Sequence, residues 1–313
     1  MGIKQLIILY GPISSNSDPK YQAMINDSVN CGYREYAKRF GYIIYLRPQE
    51  VHQDFEKSMP DTKEVVRFCN THPDHLVWSV KWDDEKDQLL TRINNKKVYY
   101  SCNNKNMYSN NVQKNLVDTL ERMRSDTLLW FKGKDPLFWK PLNPNRDDIA
   151  YDYVMIGRRA DKNELFFLSQ LEDVKETRRV LWIGGREHKD SPIVKQSHHK
   201  IYTTPLISRS EVRDYLQECK IGILYTEHPT EGFPQSFIEM AMCGVNVIYP
   251  SKAPRNHFYD SIMYTRCKHK GELLDVAEEK LLNWSLMHSN NISDTACDKL
   301  DIDKSYERIC EHV

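Results

Sequence analysis

"EGFPQSFIEMAMCG", residues 231–244, lies between two apolar runs, "IGILYT" (221–226) and "VNVIYP" (245–250). Each run reads as a buried strand, and the stretch between them as a loop turning into a helix. Pro234 suits the first helical position, where its missing N–H would be unpaired anyway. Gly244 suits the position just past the helix end. The pattern is therefore strand, loop, helix, strand, the repeating element of a parallel α/β sheet. Glu231 falls on the loop, and Glu239 just over a turn into the helix. Open parallel sheets bind ligands beyond the carboxyl ends of their strands, so both carboxylates can face that crevice. The backbone N–H groups of Gln235 and Ser236 point out of the helix start, where an anion is favoured. Carboxylates accept bonds from adjacent sugar hydroxyls, and free amides hold a phosphate. Two solvated surface glutamates would be the plainer reading. The Gly-Phe-Pro turn, the flanking strands and the glycine stop weigh against it.

The same rhythm runs outward in both directions. "LIILYGP" (6–12), "YIIYLR" (42–47), "HLVWSV" (75–80), "KVYYS" (97–101) and "TLLWF" (127–131) read as strands, with helices over 31–42, stopped by Gly41, and over 111–124. Further along, "YDYVMIG" (151–157), "VLWIGG" (180–185) and "HKIYTTP" (199–205) read as strands, with a helix from about 163 to 175. Ser208 and Glu211 have capping-box spacing ahead of the next helix, and the tail from 272 is helical in pattern. A chain of 313 residues exceeds the usual size of one domain. The segment 132–150, with three prolines and no strong periodicity, reads as the linker, giving domains over 1–146 and 147–313. The last helix is left free to pack back on the first domain.

With 40% hydrophobic and 28% charged residues the composition is that of a globular protein with a real core. The 44 basic and 44 acidic side chains balance, which argues against nucleic acid as the main partner. The eight cysteines form no CxxC pair or metal cluster, and read as free thiols in a reducing cytoplasm. The apolar run in "MGIKQLIILYGP" is five residues long, far short of a signal peptide or membrane span. Peripheral contact with a membrane stays open. His188, His198 and His199 lack the HxxxH spacing and a matching carboxylate, and no Asp-x-Asp precedes a strand end in the first half. No catalytic metal is therefore expected.

The stretch "EGFPQSFIEMAMCGVNVIYP" resembles the signature of the family 4 retaining glycosyltransferases (glycosyl transferases group 1), in which a Glu-x7-Glu motif leads into a small-residue helix and a strand. "KGKDPLFWKPL" (132–142) is similar to that family's "NGVD…F.P" segment, and "IGRRADKNELFFL" (156–168) to its "GR…K" loop. The resemblance covers about residues 130–255. It implies a GT-B fold, α/β, with two Rossmann-like domains facing a central cleft, the first on the acceptor side and the second holding a nucleotide-sugar. It implies that Glu231 contacts the donor sugar, that Glu239 binds the ribose, and that Arg158 and Lys162 hold the diphosphate as catalytic cations, with Arg159 a rival for the arginine role. Gly157, Gly232, Phe233, Pro234, Gln235 and Ser236 would line the donor site. Gly11 would join them as the one glycine left of the family's glycine-rich turn after the first strand. The acceptor-side histidine often found in the family is missing, since Cys102-Asn103-Asn104 follows "KVYYS". The acceptor stays open among glycan, lipid-linked sugar, protein and nucleic acid. The implied activity is metal-independent, retaining sugar transfer. A phage-type DNA-modifying glucosyltransferase and a non-catalytic sugar-nucleotide-binding protein are the alternatives.

Overall fold

A computed structural model of the chain describes residues 5–11, 32–48, 50–80, 84–100, 108–117, 123–141, 143–146, 149–157, 163–225, 234–250 and 261–313. The chain divides into two compact units, Met1–Gly133 with Ile302–Val313, and Lys134–Asp301.

In the first unit the order is β1 (Leu6–Tyr10), α1 (Arg34–Phe40), β2 (Gly41–Tyr45), β3 (Glu56–Ser58), α2 (Thr62–Asn70), β4 (Leu76–Val80), α3 (Asp84–Thr91), β5 (Lys97–Tyr100), β6 (Lys114–Val117) and β7 (Thr127–Leu129). These strands form one parallel sheet in the order β3-β2-β1-β4-β5-β6-β7. The chain leaves β1 in one direction and returns to its other side at β4, so the switch point lies between β1 and β4. Every residue of β1 is buried because both faces are covered. Leu6, Ile8 and Tyr10 face one cluster with Tyr36, Trp78 and Trp130, while Ile7 and Leu9 face another with Val65, Leu89 and Leu90.

Gly41 does more than stop a helix. It opens β2, and a side chain there would run into the backbone carbonyl of Leu6 on β1. The expected helix over 111–124 is corrected. Residues 114–117 are β6, paired in parallel with both β5 and β7. Leu116, Leu120 and Met123 have helical spacing, but four residues are too few to display a strand's period of two. The strand is fixed by its slot in the sheet and by Asn115. That buried side chain accepts from the Ser109 N–H at 2.9 Å and donates to the Ser109 carbonyl at 3.0 Å and to Asp126 at 2.9 Å.

The second unit opens with α4 (Pro136–Trp139), then β8 (Tyr151–Ile156), α5 (Glu164–Leu171), β9 (Arg179–Ile183), α6 (Pro192–Lys195), β10 (Lys200–Thr203), α7 (Arg209–Leu216), β11 (Cys219–Ile223), α8 (Gln235–Met242), β12 (Asn246–Pro250), β13 (Tyr264–Cys267), α9 (Leu273–Leu282) and α10 (Leu286–Lys299). Its parallel sheet has the order β10-β9-β8-β11-β12-β13, with the switch between β8 and β11. The capping box on α7 is present in full, with Ser208 N–H donating to Glu211 at 2.8 Å. Much of the proline-bearing segment 132–150 packs into this unit. Asp135 caps α4, Trp139 is fully buried, and Arg146 donates to the Gln217 and Cys243 carbonyls and to Ser289. Gly244 has φ +83°, the left-handed turn expected past α8, and Ser289 of α10 lies where a side chain would go. Ser289 and Ser293 donate to the Gly244 and Met242 carbonyls at 2.7 and 2.6 Å, closing the end of α8.

The chain then enters α11 (Ile302–Glu311), which belongs to the first unit. Its buried Ser305 accepts from Tyr36 at 2.7 Å and donates to the Phe131 carbonyl at 2.5 Å, and the Trp130 indole donates to the Ser305 carbonyl at 3.0 Å. Among the described residues no helix is long and apolar enough to cross a membrane. The described cysteines are all free thiols, five buried and Cys310 half-buried.

Candidate functional site

Of the residues singled out in sequence, Gly157, Pro234, Gln235, Ser236 and Glu239 are described in the second unit, whose sheet has its switch point between β8 and β11. β8 and β11 pair there in register, Met155 opposite Ile223. Gly157 follows β8, and the buried carboxyl of Glu164, in the first turn of α5, occupies the space a side chain at 157 would need. Asn163, with φ +61°, ends the segment after β8 and donates to the carbonyl of Tyr225, just beyond β11, at 3.0 Å. Arg158, Arg159, Lys162, Glu231, Gly232 and Phe233 lie outside the described residues.

Pro234 is the N-cap of α8 and Gln235 its first helical residue, so proline sits one position earlier than its sequence suggested. A helix start leaves its first N–H groups without partners inside the helix. Two side-chain atoms there are also buried without a hydrogen-bond partner, the Ser236 hydroxyl and the Gln235 amide oxygen. Ser236 is 8% exposed. Buried polar atoms are nearly always satisfied, so these two atoms and the free helix amides leave bonding capacity at the start of α8. Glu239 stands one turn further on the same face as Gln235. It accepts a 2.8 Å bond from the ammonium of Lys134, whose side chain is wholly buried while that of Glu239 keeps 14% exposure. Sequence reasoning passed over Lys134. The available signal was "KGKD" set against "NGVD", which puts a lysine where the pattern has valine.

Gly11 belongs to the first unit. It ends β1 with φ +91°, and a side chain there would meet nothing within 4 Å. Its carbonyl, with that of Val80 at the end of β4, accepts from the buried ammonium of Lys86 (2.9 Å to Gly11). The Lys132 ammonium lies 4.0 Å from the Tyr33 ring at the same edge. Neither lysine stood out in the sequence.

The three histidines are placed differently. His188 stacks on Trp182 with ring centroids 4.7 Å apart. His198 and His199 do find a carboxylate, correcting the sequence reading. Glu172 lies 3.2 Å from His198 Nδ1, and the potential ligand atoms of all three residues fall within 4.8 Å. His199 nevertheless accepts the Arg178 N–H at Nδ1 (3.1 Å) and donates from Nε2 to the Leu171 carbonyl (2.7 Å). Neutral imidazole has one lone pair for a metal, and that lone pair is taken. The cluster reads as a strand-end clasp.

No protein-family model matches the chain. No curated protein matches it. Solved structures do. A glycosyltransferase from Rickettsia africae aligns at TM-score 0.69 with 11% identity, over 98% of this chain and 97% of its own. Sucrose-phosphate synthase from Thermosynechococcus elongatus aligns at 0.66 with 10% identity, and Anabaena HepE in complex with UDP at 0.63 with 11% identity, each over 98% of both chains. The fold is GT-B. Identity near one residue in ten carries the architecture of these GT-B proteins to this chain and no more.

Proposed function

We propose that the chain is a glycosyltransferase that moves a sugar from a nucleotide-sugar donor held by the second unit to an acceptor hydroxyl. The observation that carries the reading is the start of α8. Buried, unpartnered polar atoms on Ser236 and Gln235 lie one turn from a partly exposed carboxylate, at the switch point of a GT-B sheet. A diphosphate suits the helix amides and a ribose suits Glu239. Anabaena HepE is known in complexes with UDP and with UDP-glucose, which supports a nucleotide-sugar here. In this reading Glu231 contacts the donor sugar, and Arg158 or Arg159 with Lys162 holds the diphosphate. Gly157, Gly232, Phe233 and Pro234 shape the donor site.

The reaction breaks the bond from the anomeric carbon to the phosphate oxygen and forms one to the acceptor oxygen. Negative charge builds on the departing diphosphate, where the cations and helix amides stabilise it without a metal. The acceptor attacks from the face the leaving group departs, its proton passes to the leaving phosphate, and the configuration is retained.

The test is a thermal-shift panel of nucleoside diphosphates and their sugar conjugates. A ligand that binds only the native state stabilises it by about 2.7 kcal/mol at a hundred times its Kd. At least one nucleotide-sugar and its parent diphosphate are expected to raise the melting temperature. A panel without any shift at millimolar ligand overturns the proposal.

A further inference from the structure

Lys134 is wholly buried, and its ammonium bonds to only one of the two carboxylate oxygens of Glu239. A buried ammonium is retained where a charged partner holds it. The main chain fixes it too, because the Lys134 N–H donates to the Leu300 carbonyl at 3.0 Å and Lys134 forms an isolated bridge with Asp301. The ring of Trp139 lies 5.7 Å from the ammonium. The lysine is therefore a fixed post, and the glutamate is the side chain with exposure to spare.

Two consequences follow for a ligand at the α8 start. Holding one oxygen sets the plane of the carboxylate and directs the other toward whatever meets the helix face. The ammonium also offsets a negative charge that would otherwise repel a diphosphate one turn away, in a setting where water screens poorly. A site that must present a carboxylate to hydroxyls and still accept an anion needs such a counter-charge. Resting on the donor-site reading above, we propose that Lys134 is a positioning residue for nucleotide binding, acting through Glu239 on the ribose and on the tolerance of the diphosphate beside it.

The experiment measures binding of UDP, GDP and ADP, each with its 2′-deoxy form, by calorimetry on the full chain. The variants are Lys134→Met, Glu239→Gln and the double change. Wild type should prefer the ribose form of the nucleotide it binds. Lys134→Met should weaken that nucleotide roughly tenfold or more, the size of a lost charged hydrogen bond, and bring the ribose-to-deoxyribose ratio towards one. In the Glu239→Gln background, adding Lys134→Met should change the affinity little, since the lysine has lost the group it acts through. The double variant leaves no bare charge, so it keeps the test available should Lys134→Met fail to fold. A merely structural lysine would lower the melting temperature with affinity and ratio intact, and that result overturns the proposal. So does a double variant that binds much more weakly than Glu239→Gln alone. If wild type binds none of the nucleotides the donor-site reading falls and this inference with it, whereas an intact ratio in a nucleotide-binding Lys134→Met protein removes only the role of Lys134.

Discussion

Lys86 and Lys134 are both buried lysines, one in each unit, and they are put to different uses. Lys86 turns its ammonium onto the backbone carbonyls of Gly11 and Val80, which end the two strands flanking the first switch point. Lys134 turns its ammonium onto a side-chain carboxylate that still has an oxygen to offer. A carbonyl held this way ties two strand ends together. A carboxylate held this way is aimed. The difference teaches that burial and residue type do not assign a role, and that the partner does. It also separates expected phenotypes, with stability for the first edge and binding and turnover for the second.

The largest expected effect is on turnover, at the second edge. In the proposed site, Lys162→Ala should lower kcat by about 10²–10³-fold, the range for loss of one donor to a developing anion, and leave melting almost unchanged. Lys195→Ala, on an exposed side chain of α6, is the control. Arg158→Ala and Arg159→Ala run side by side identify which arginine serves. The wild-type rate should persist in excess EDTA, and a rate lost to EDTA and restored by Mg²⁺ or Mn²⁺ would contradict the metal-free mechanism. Near-native kcat in all three cation variants would remove the diphosphate from this edge.

Next in size is Lys86→Met, which should cost stability. Leaving buried carbonyls unpaired costs roughly 1–3 kcal/mol each, read from urea unfolding. An unchanged midpoint would mean that the strand ends do not depend on the ammonium.

A smaller effect treats the two units alike. Each holds a Tyr–Glu–Arg cluster, Tyr45–Glu56–Arg34 in the first and Tyr153–Glu278–Arg178 in the second. Burial alone would raise each carboxyl, but the bonds from its arginine and tyrosine, joined at Glu56 by the His52 N–H, outweigh it and hold both below the ordinary value of 4.5. A depressed native pKa stabilises the fold fully above that value, and the contribution is lost as pH falls through the native one. Glu56→Gln and Glu278→Gln should therefore be less stable than wild type at neutral pH, and the gap should close progressively as pH falls below the ordinary carboxyl value. A gap that stays constant into acid would show that ionisation is not what these clusters use.

The alternating rhythm, the strand–loop–helix–strand unit and the glycine stop at Gly244 were all legible, because buried parallel strands and helix ends leave local marks. Residues 114–117 were not, since their neighbours in the sheet, far away in sequence, decide a strand too short to show its period. β13 went unnoticed for a related reason, as only Cys267 of its four residues is buried. Gln235, Ser236 and Glu239 were singled out from their place in the motif. Lys134 and Lys86 were not, because a lone lysine reads as a solvated charge until its partner is known, and both partners are distant in the chain. The Glu172–His198–His199 clasp was missed in the same way.

The central claim is that the α8 face of the second unit binds the ribose of a nucleotide through Glu239. Calorimetric titration of wild type and Glu239→Ala with the nucleoside diphosphate that stabilises wild type most, and with its 2′-deoxy form, tests it directly. The mutant should lose about 1.5–3 kcal/mol of affinity for the ribose form, and removal of the 2′-hydroxyl should cost the mutant less than it costs wild type. Equal affinities in the two proteins, or an equal penalty for the missing hydroxyl, would contradict it.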